Sequence, residues 1–142
     1  MRKLNGIVSQ KIQRGRGPNQ FVLLLTTTGR KSGQPRVTPL QYEIIDGAYF
    51  IGSARGVKAD WFCNILVDPS VSIQDRGDLI LGEAFPITNP ERVADLLEVR
   101  LRRHPWMIGL LLRLEGLPIR YRRSDLERIA SKLAYVRIEP VR

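Results

Sequence analysis

Up to Thr88 the apolar positions fall in short runs bounded by turn residues, and beyond Asn89 they recur at helical spacing. The runs predict strands over Phe21–Thr28, Val37–Ile45 and Ala48–Ser53, the last two joined through a tight turn at Asp46-Gly47. A second hairpin, Val71–Gln74 and Leu79–Thr88, surrounds Asp75-Arg76-Gly77-Asp78. Between the hairpins, Asp60–Val67 reads as a short helix with Asp60 as its N-cap, stopped by Asp68-Pro69. Asn89-Pro90-Glu91 places a capping amide before a proline at the first helical position. The helix it opens is expected to run to about Arg103, with Val93, Leu96 and Leu97 inward. His104-Pro105 breaks it, and Trp106–Leu114 continues as an apolar helix. Ser124-Asp125-Leu126-Glu127 reads as a capping box opening a short helix, and Leu133–Glu139 as a closing strand. Six strands, mostly antiparallel, with helices gathered in the second half predict an α+β fold built on an antiparallel barrel.

Ahead of these elements, residues 1–14 put Leu4, Ile7, Val8 and Ile12 on one face among basic residues. This predicts a basic amphipathic helix, either packed on the barrel or lying on a pocket or membrane surface. The length of 142 residues suits one domain over residues 1–142. Cys63 is the single cysteine, so no intrachain disulfide forms. The opening MRKLNGIVSQKIQRGRG lacks the apolar stretch of a signal peptide. A cytoplasmic location is therefore the expectation, with membrane association as a further option.

Charge changes the picture more. The formal net charge is +9, which favours anionic partners. The densest chemistry lies in TTTGRKSGQPRVTPL, residues 26–40, between two expected strands. Gly29 and Gly33 allow a tight turn, Ser32 offers a hydroxyl, and Arg30, Lys31 and Arg36 supply cations. Such a loop suits a phosphate or carboxylate, with Arg30 and Arg36 gripping it bidentately and Lys31 acting as a point charge. The plainer reading is a hairpin with solvated charges. Arg55 and Lys58 flank Gly56 in a second basic loop. No G-x-G-x-x-G or G-x-x-x-x-G-K-[ST] pattern occurs, no set of residues suggests a metal site, and no nucleophile–base pair is evident. His104, the only histidine, is expected to complement a helix dipole.

Thr28-Gly29-Arg30-Lys31-Ser32-Gly33, then Arg36 and Pro39-Leu40, resemble the signature of the deazaflavin-dependent nitroreductases, split β-barrel proteins related to FMN-binding flavin reductases. The resemblance continues through Ser53-Ala54-Arg55-Gly56, Trp61 and Asn64, covers about residues 20–75, and returns weakly at Ala134–Pro140. It implies a split barrel that binds the deazaflavin coenzyme factor 420 and passes hydride to a quinone, nitro or other conjugated acceptor. It implies a cofactor site of Arg30, Lys31, Ser32, Gly33, Arg36, Pro39, Tyr42, Ser53, Arg55, Lys58 and Trp61. Ser53 would bond a ring carbonyl or cap its loop, and Tyr121 would face the substrate. Asp60, beside Trp61, stands where relatives carry an apolar residue. Alternatives are FMN as the cofactor, or a non-catalytic carrier of an apolar or lipid ligand suggested by Trp106–Leu117. The implied partner is a small-molecule electron acceptor, with no specific nucleic acid, in a monomer or homodimer.

Overall fold

The computed structural model describes residues 22–53 and 55–141, so the expected helix over residues 1–14 lies outside the described residues. Six strands form a closed antiparallel barrel: β1 (Val22–Thr28), β2 (Pro35–Ile45), β3 (Ala48–Ser53), β4 (Ser70–Asp75), β5 (Asp78–Ile87) and β6 (Ala134–Pro140). The order around the barrel is β1-β2-β3-β6-β5-β4, closed by β1 against β4. Closure removes the free edges that an open sheet would present. All six expected strands are present, with β2 starting at Pro35 rather than Val37. Asp46 and Gly47 take positive φ, 51° and 81°, as the two-residue turn between β2 and β3 requires.

The α-helices among the described residues are α1 (Asp60–Val67), α2 (Pro90–Arg103), α3 (Pro105–Leu114) and α4 (Arg123–Ala130). Asn89 caps α2, its side-chain oxygen accepting from the backbone N–H groups of Glu91 (2.8 Å) and Arg92 (3.2 Å). Two of the expected caps differ. Ala59, not Asp60, is the N-cap of α1. The helix α4 starts earlier than Ser124 suggests, because the Asp125 carboxylate accepts from the Arg122 N–H at 2.8 Å and fixes Arg122 as the cap.

Two apolar clusters follow. Inside the barrel, Leu23, Leu25, Ile51, Ile73, Val136 and Ile138 meet Trp61, Phe62 and Ile65 of α1. Outside it, Leu97, Ile108, Leu112, Leu126 and Ile129 of the helices pack around Tyr135 and Ile87. Arg123 joins α4 to α2 through ion pairs with Asp95 and Glu98, besides Glu127 on its own helix.

Within the barrel wall, the hydroxyls of Tyr42 and Tyr49 donate to the two oxygens of the Asp75 carboxylate at 2.8 and 3.1 Å. Burial first, and the carboxylate second, push the Tyr42 phenol above its ordinary range; burial and Asp75 likewise push Tyr49 up to about 12. A phenol held protonated stabilises the fold below its unfolded value and loses that contribution as pH rises through the folded one. Stability should therefore fall from pH 10 to about 12. Denaturant unfolding across that window should show the fall in the natural protein and a flatter profile in the Tyr42→Phe/Tyr49→Phe variant. Identical profiles would reject the assignment.

Candidate cofactor and acceptor sites

The turn from β1 to β2 is built by its glycines. Gly33 sits at φ 72°, and its N–H donates to the Gly29 carbonyl, while the Gly29 N–H donates to Gln34, both at 2.8 Å. A Cβ on Gly29 would lie 2.8 Å from the Ser32 hydroxyl and 3.2 Å from the Gln34 carbonyl. Only glycine lets the serine and the Arg36 guanidinium draw in so closely; Ser32 Oγ accepts from the Gln34 N–H at 3.1 Å and from Arg36 at 3.5 Å.

This turn forms one wall of a groove of about 810 Å³, which β2 and the start of α1 complete. Arg30, Lys31, Ser32, Arg36, Pro39 and Trp61 all line it. Lys31 and Arg36 are exposed and form no ion pair among the described residues. Trp61 lines the groove but is 7% exposed and packs in an edge-to-face arrangement with Phe62, so it is chiefly core.

Arg30 departs from the expected free anion grip. Its guanidinium donates to Asn64 Oδ1 (2.8 Å), to the Asp60 carbonyl (3.3 Å) and to the Asp60 carboxylate (3.2 Å). Its backbone N–H also reaches Asn64 Oδ1, and Asn64 Nδ2 donates to Thr27 at 3.1 Å. Arg30 is thus a clamp between the turn and α1, and it offsets the Asp60 carboxylate that would otherwise face an anionic ligand.

Other expected residues lie elsewhere. Pro39 and Gln41 share the outer face of β2, so by the two-residue alternation of a strand Tyr42 points inward, to Asp75. Gly33 lines a separate hollow with β4 and β5. Arg55 and Lys58 are exposed on a short 3-10 turn that does not line the groove. Gly56, at φ 61°, holds that turn where a Cβ would meet the Lys132 carbonyl at 2.8 Å. Ser53 is buried and donates to the Gly56 carbonyl at 2.7 Å, the loop-capping role. Tyr121 is 42% exposed and lines neither the groove nor the hollow described next.

That second hollow, about 210 Å³, lies between the barrel and the α2–α3 pair. Leu97, Ile108, Leu112 and Leu133 give it apolar walls, and Gln41, Ser53, Arg100, Glu115 and Tyr135 give it polar points. Arg100 donates to the Tyr135 hydroxyl at 2.8 Å and to Gln41 at 3.5 Å. The Tyr135 ring lies against Gly52, where a Cβ would come within 2.9 Å of it. Next to the hollow, buried Glu43 takes Arg103 at 3.0 Å, His104 Nε2 at 2.7 Å and Arg100 Nε at 3.8 Å. His104 is the C-cap of α2, and it also reaches this carboxylate. The sequence reading missed Gln41, Arg100 and Tyr135. Arg100 did leave a signal, since it sits on the Val93–Leu97 stripe of α2, and a cation on a buried face needs a partner.

Residues 1–105 match the family model described as F420H(2)-dependent quinone reductase. An F420H(2)-dependent quinone reductase of Mycobacterium tuberculosis is 37% identical over 75 residues, 51% of this chain and 48% of that one. The match thus spans about half the length of that relative. Among solved structures, an F420 reductase aligns with a TM-score of 0.53 at 16% identity, covering 86% of this chain and 87% of that one. The heme storage protein HutZ from Vibrio cholerae aligns at 0.58 and 16% identity, covering 97% and 91%. At such identities the structural likeness speaks for the split-barrel fold. With about three-quarters of the sequence inside the family model, and the glycine-bounded basic turn folded as a groove wall, the chain belongs to the F420H(2)-dependent quinone reductase family.

Proposed function

We propose that the chain binds reduced coenzyme F420 and transfers hydride to a quinone-class acceptor. The observation that carries this is the groove beside the glycine turn, where Lys31 and Arg36 are exposed and have no carboxylate partner among the described residues. The coenzyme's phosphodiester and glutamate tail are anionic, and two exposed cations beside Ser32, neither in an ion pair among the described residues, fit that chemistry. The tight approach at Gly29 leaves backbone and hydroxyl close to any bound oxygen. The bound coenzyme supplies hydride from its ring carbon, so the protein needs no acid–base dyad of its own.

The chain's residues bind, orient and exclude water. Lys31 and Arg36 hold the anionic portion, with Ser32 as a hydroxyl donor. Pro39 and Gln41, on one face of β2, run from the groove toward the second hollow. The hollow's apolar walls suit a flat acceptor, and its polar points suit a carbonyl. Because Tyr135 oxygen accepts from Arg100, its own hydroxyl proton remains available to a carbonyl oxygen. Arg55 and Lys58 contribute positive potential at longer range.

Titration of the purified protein with F420 and, separately, with FMN tests the cofactor. Loss of reduced F420 absorbance against a panel of quinones and nitroaromatics tests the reaction. The expected result is F420 binding and acceptor-dependent oxidation, with Tyr135→Phe lowering kcat more than cofactor affinity. Preference for FMN would overturn the cofactor assignment. Tight F420 binding with no acceptor faster than buffer would leave a carrier instead.

A further inference from the structure

We propose that Arg100 is a positioning residue, whose one guanidinium turns Tyr135 and Gln41 into paired donors for the acceptor oxygen that gains negative charge. Its role in turnover rests on the acceptor site proposed above. Arg100 lies on α2, lines the second hollow and has 15% of its side chain exposed. It donates to the Tyr135 hydroxyl at 2.8 Å and to Gln41 Oε1 at 3.5 Å. A guanidinium has N–H donors and no acceptor, so both neighbours must show it an oxygen. That fixes what each keeps for a ligand: Tyr135 its O–H proton, Gln41 its Nε2 amide. Without Arg100, either group is free to turn and present an acceptor instead. Ser53 adds no third donor, because its hydroxyl proton goes to the Gly56 carbonyl at 2.7 Å.

The surroundings leave this charge available. Glu43 is drawn to His104 at 2.7 Å and to Arg103 at 3.0 Å, and stays 3.8 Å from Arg100 Nε. That Nε is buried and has no hydrogen-bond partner among the described residues. The carboxylate therefore offsets the guanidinium from its Nε side and leaves the two terminal nitrogens to Tyr135 and Gln41. Glu115 also lines the hollow, is exposed, and forms no ion pair among the described residues. Its charge acts against a ligand that is already anionic. The class that fits is a neutral carbonyl compound that becomes anionic only as it is reduced, which is where preorganised donors help most. In the proposed reaction the acceptor gains hydride from the reduced coenzyme, which is thereby oxidised. One carbonyl oxygen takes up the electron pair as negative charge between the two donors. A proton from the Tyr135 hydroxyl then completes the quinol, and Tyr135 regains one from water.

The first test needs no coenzyme. The full chain is titrated with para-nitrophenol, whose phenolate oxygen stands in for the reduced acceptor and whose absorbance separates phenolate from phenol. At a pH where most of the free probe is protonated, the natural protein should hold it as phenolate. Arg100→Gln should weaken that binding by about tenfold or more, and Gln41→Leu by roughly fivefold to tenfold. Gln41 is exposed, so its variant keeps the fold even where the Arg100 variant loosens α2. Arg100→Lys should recover only part of the signal, because a point charge does not hold two partners as a planar fork does. Arg102→Ala, an exposed loss of the same charge on the same helix, should bind the probe as the natural protein does. A probe that stays a phenol, or phenolate held equally by Arg100→Gln and Gln41→Leu, overturns the proposal. The second test titrates the same variants with F420 and follows quinone reduction; kcat should fall in Arg100→Gln with coenzyme affinity unchanged. Phenolate binding as expected, without F420 binding, defeats the coenzyme assignment and leaves the donor pair standing. Quinone reduction with an unchanged kcat in Arg100→Gln does the reverse.

Discussion

Lys31→Ala and Arg36→Ala are each expected to weaken F420 binding by about tenfold to a hundredfold. A charge-assisted contact contributes roughly 1.5–3 kcal/mol, and about 1.4 kcal/mol corresponds to one power of ten. Both side chains are exposed at the groove and free of carboxylates among the described residues, so no ion pair is broken and folding should be unaffected. The double variant should also show a shallower salt dependence, since fewer cations meet the ligand. Arg102→Ala, an exposed change of the same charge away from the groove, serves as the control. Fluorescence titration of all four proteins decides the matter; unchanged curves for Lys31→Ala and Arg36→Ala would place the anionic end of the coenzyme elsewhere.

Glu43→Ala is expected to be the most damaging single change to stability. The carboxylate is 5% exposed and faces Arg100, Arg103 and His104. Removing it leaves cations in a partly dry site, for which a loss of about 3–5 kcal/mol is typical. For a chain of this size that corresponds to roughly 10 °C or more in Tm. Arg103 is less enclosed, with 42% of its side chain exposed, so Arg103→Ala should cost markedly less. Thermal and denaturant unfolding of the two variants measure the contrast. A Glu43→Ala protein as stable as its parent would show that the cluster contributes nothing net.

Much local chemistry was legible in the sequence, although the caps at Asp60 and Ser124 were displaced by one and two residues; pairings across long separations were not. Asn89-Pro90 announced α2 because a cap needs only its own next three residues. The basic turn announced a groove wall because glycine, hydroxyl and cation crowd within eight positions. The commitment of Arg30 could not be read, because its partners lie 30 and 34 residues away on α1. The inward direction of Tyr42 was within reach, since it stands three residues from Pro39 and therefore on the other face of the strand. Tyr121 was assigned by resemblance where the alignment is weakest, while Arg120, Arg122 and Arg123 around it suited an exposed tyrosine equally well; it is 42% exposed, and the tyrosine that lines the second hollow is Tyr135.

The Arg30 clamp has a bearing on kinetics. Two backbone bonds close the Gly29–Gln34 turn, and Arg30, Asn64 and Thr27 then bolt it to α1 and β1. Fixing one residue's backbone takes about 1–2 kcal/mol of entropy, so ordering such a turn at the moment of binding would erode affinity severely. Here that ordering is complete when the chain folds. On the proposed assignment of the groove to the coenzyme, the arriving ligand would meet a surface already ordered, and its association would be governed by diffusion and charge rather than by ordering of the turn.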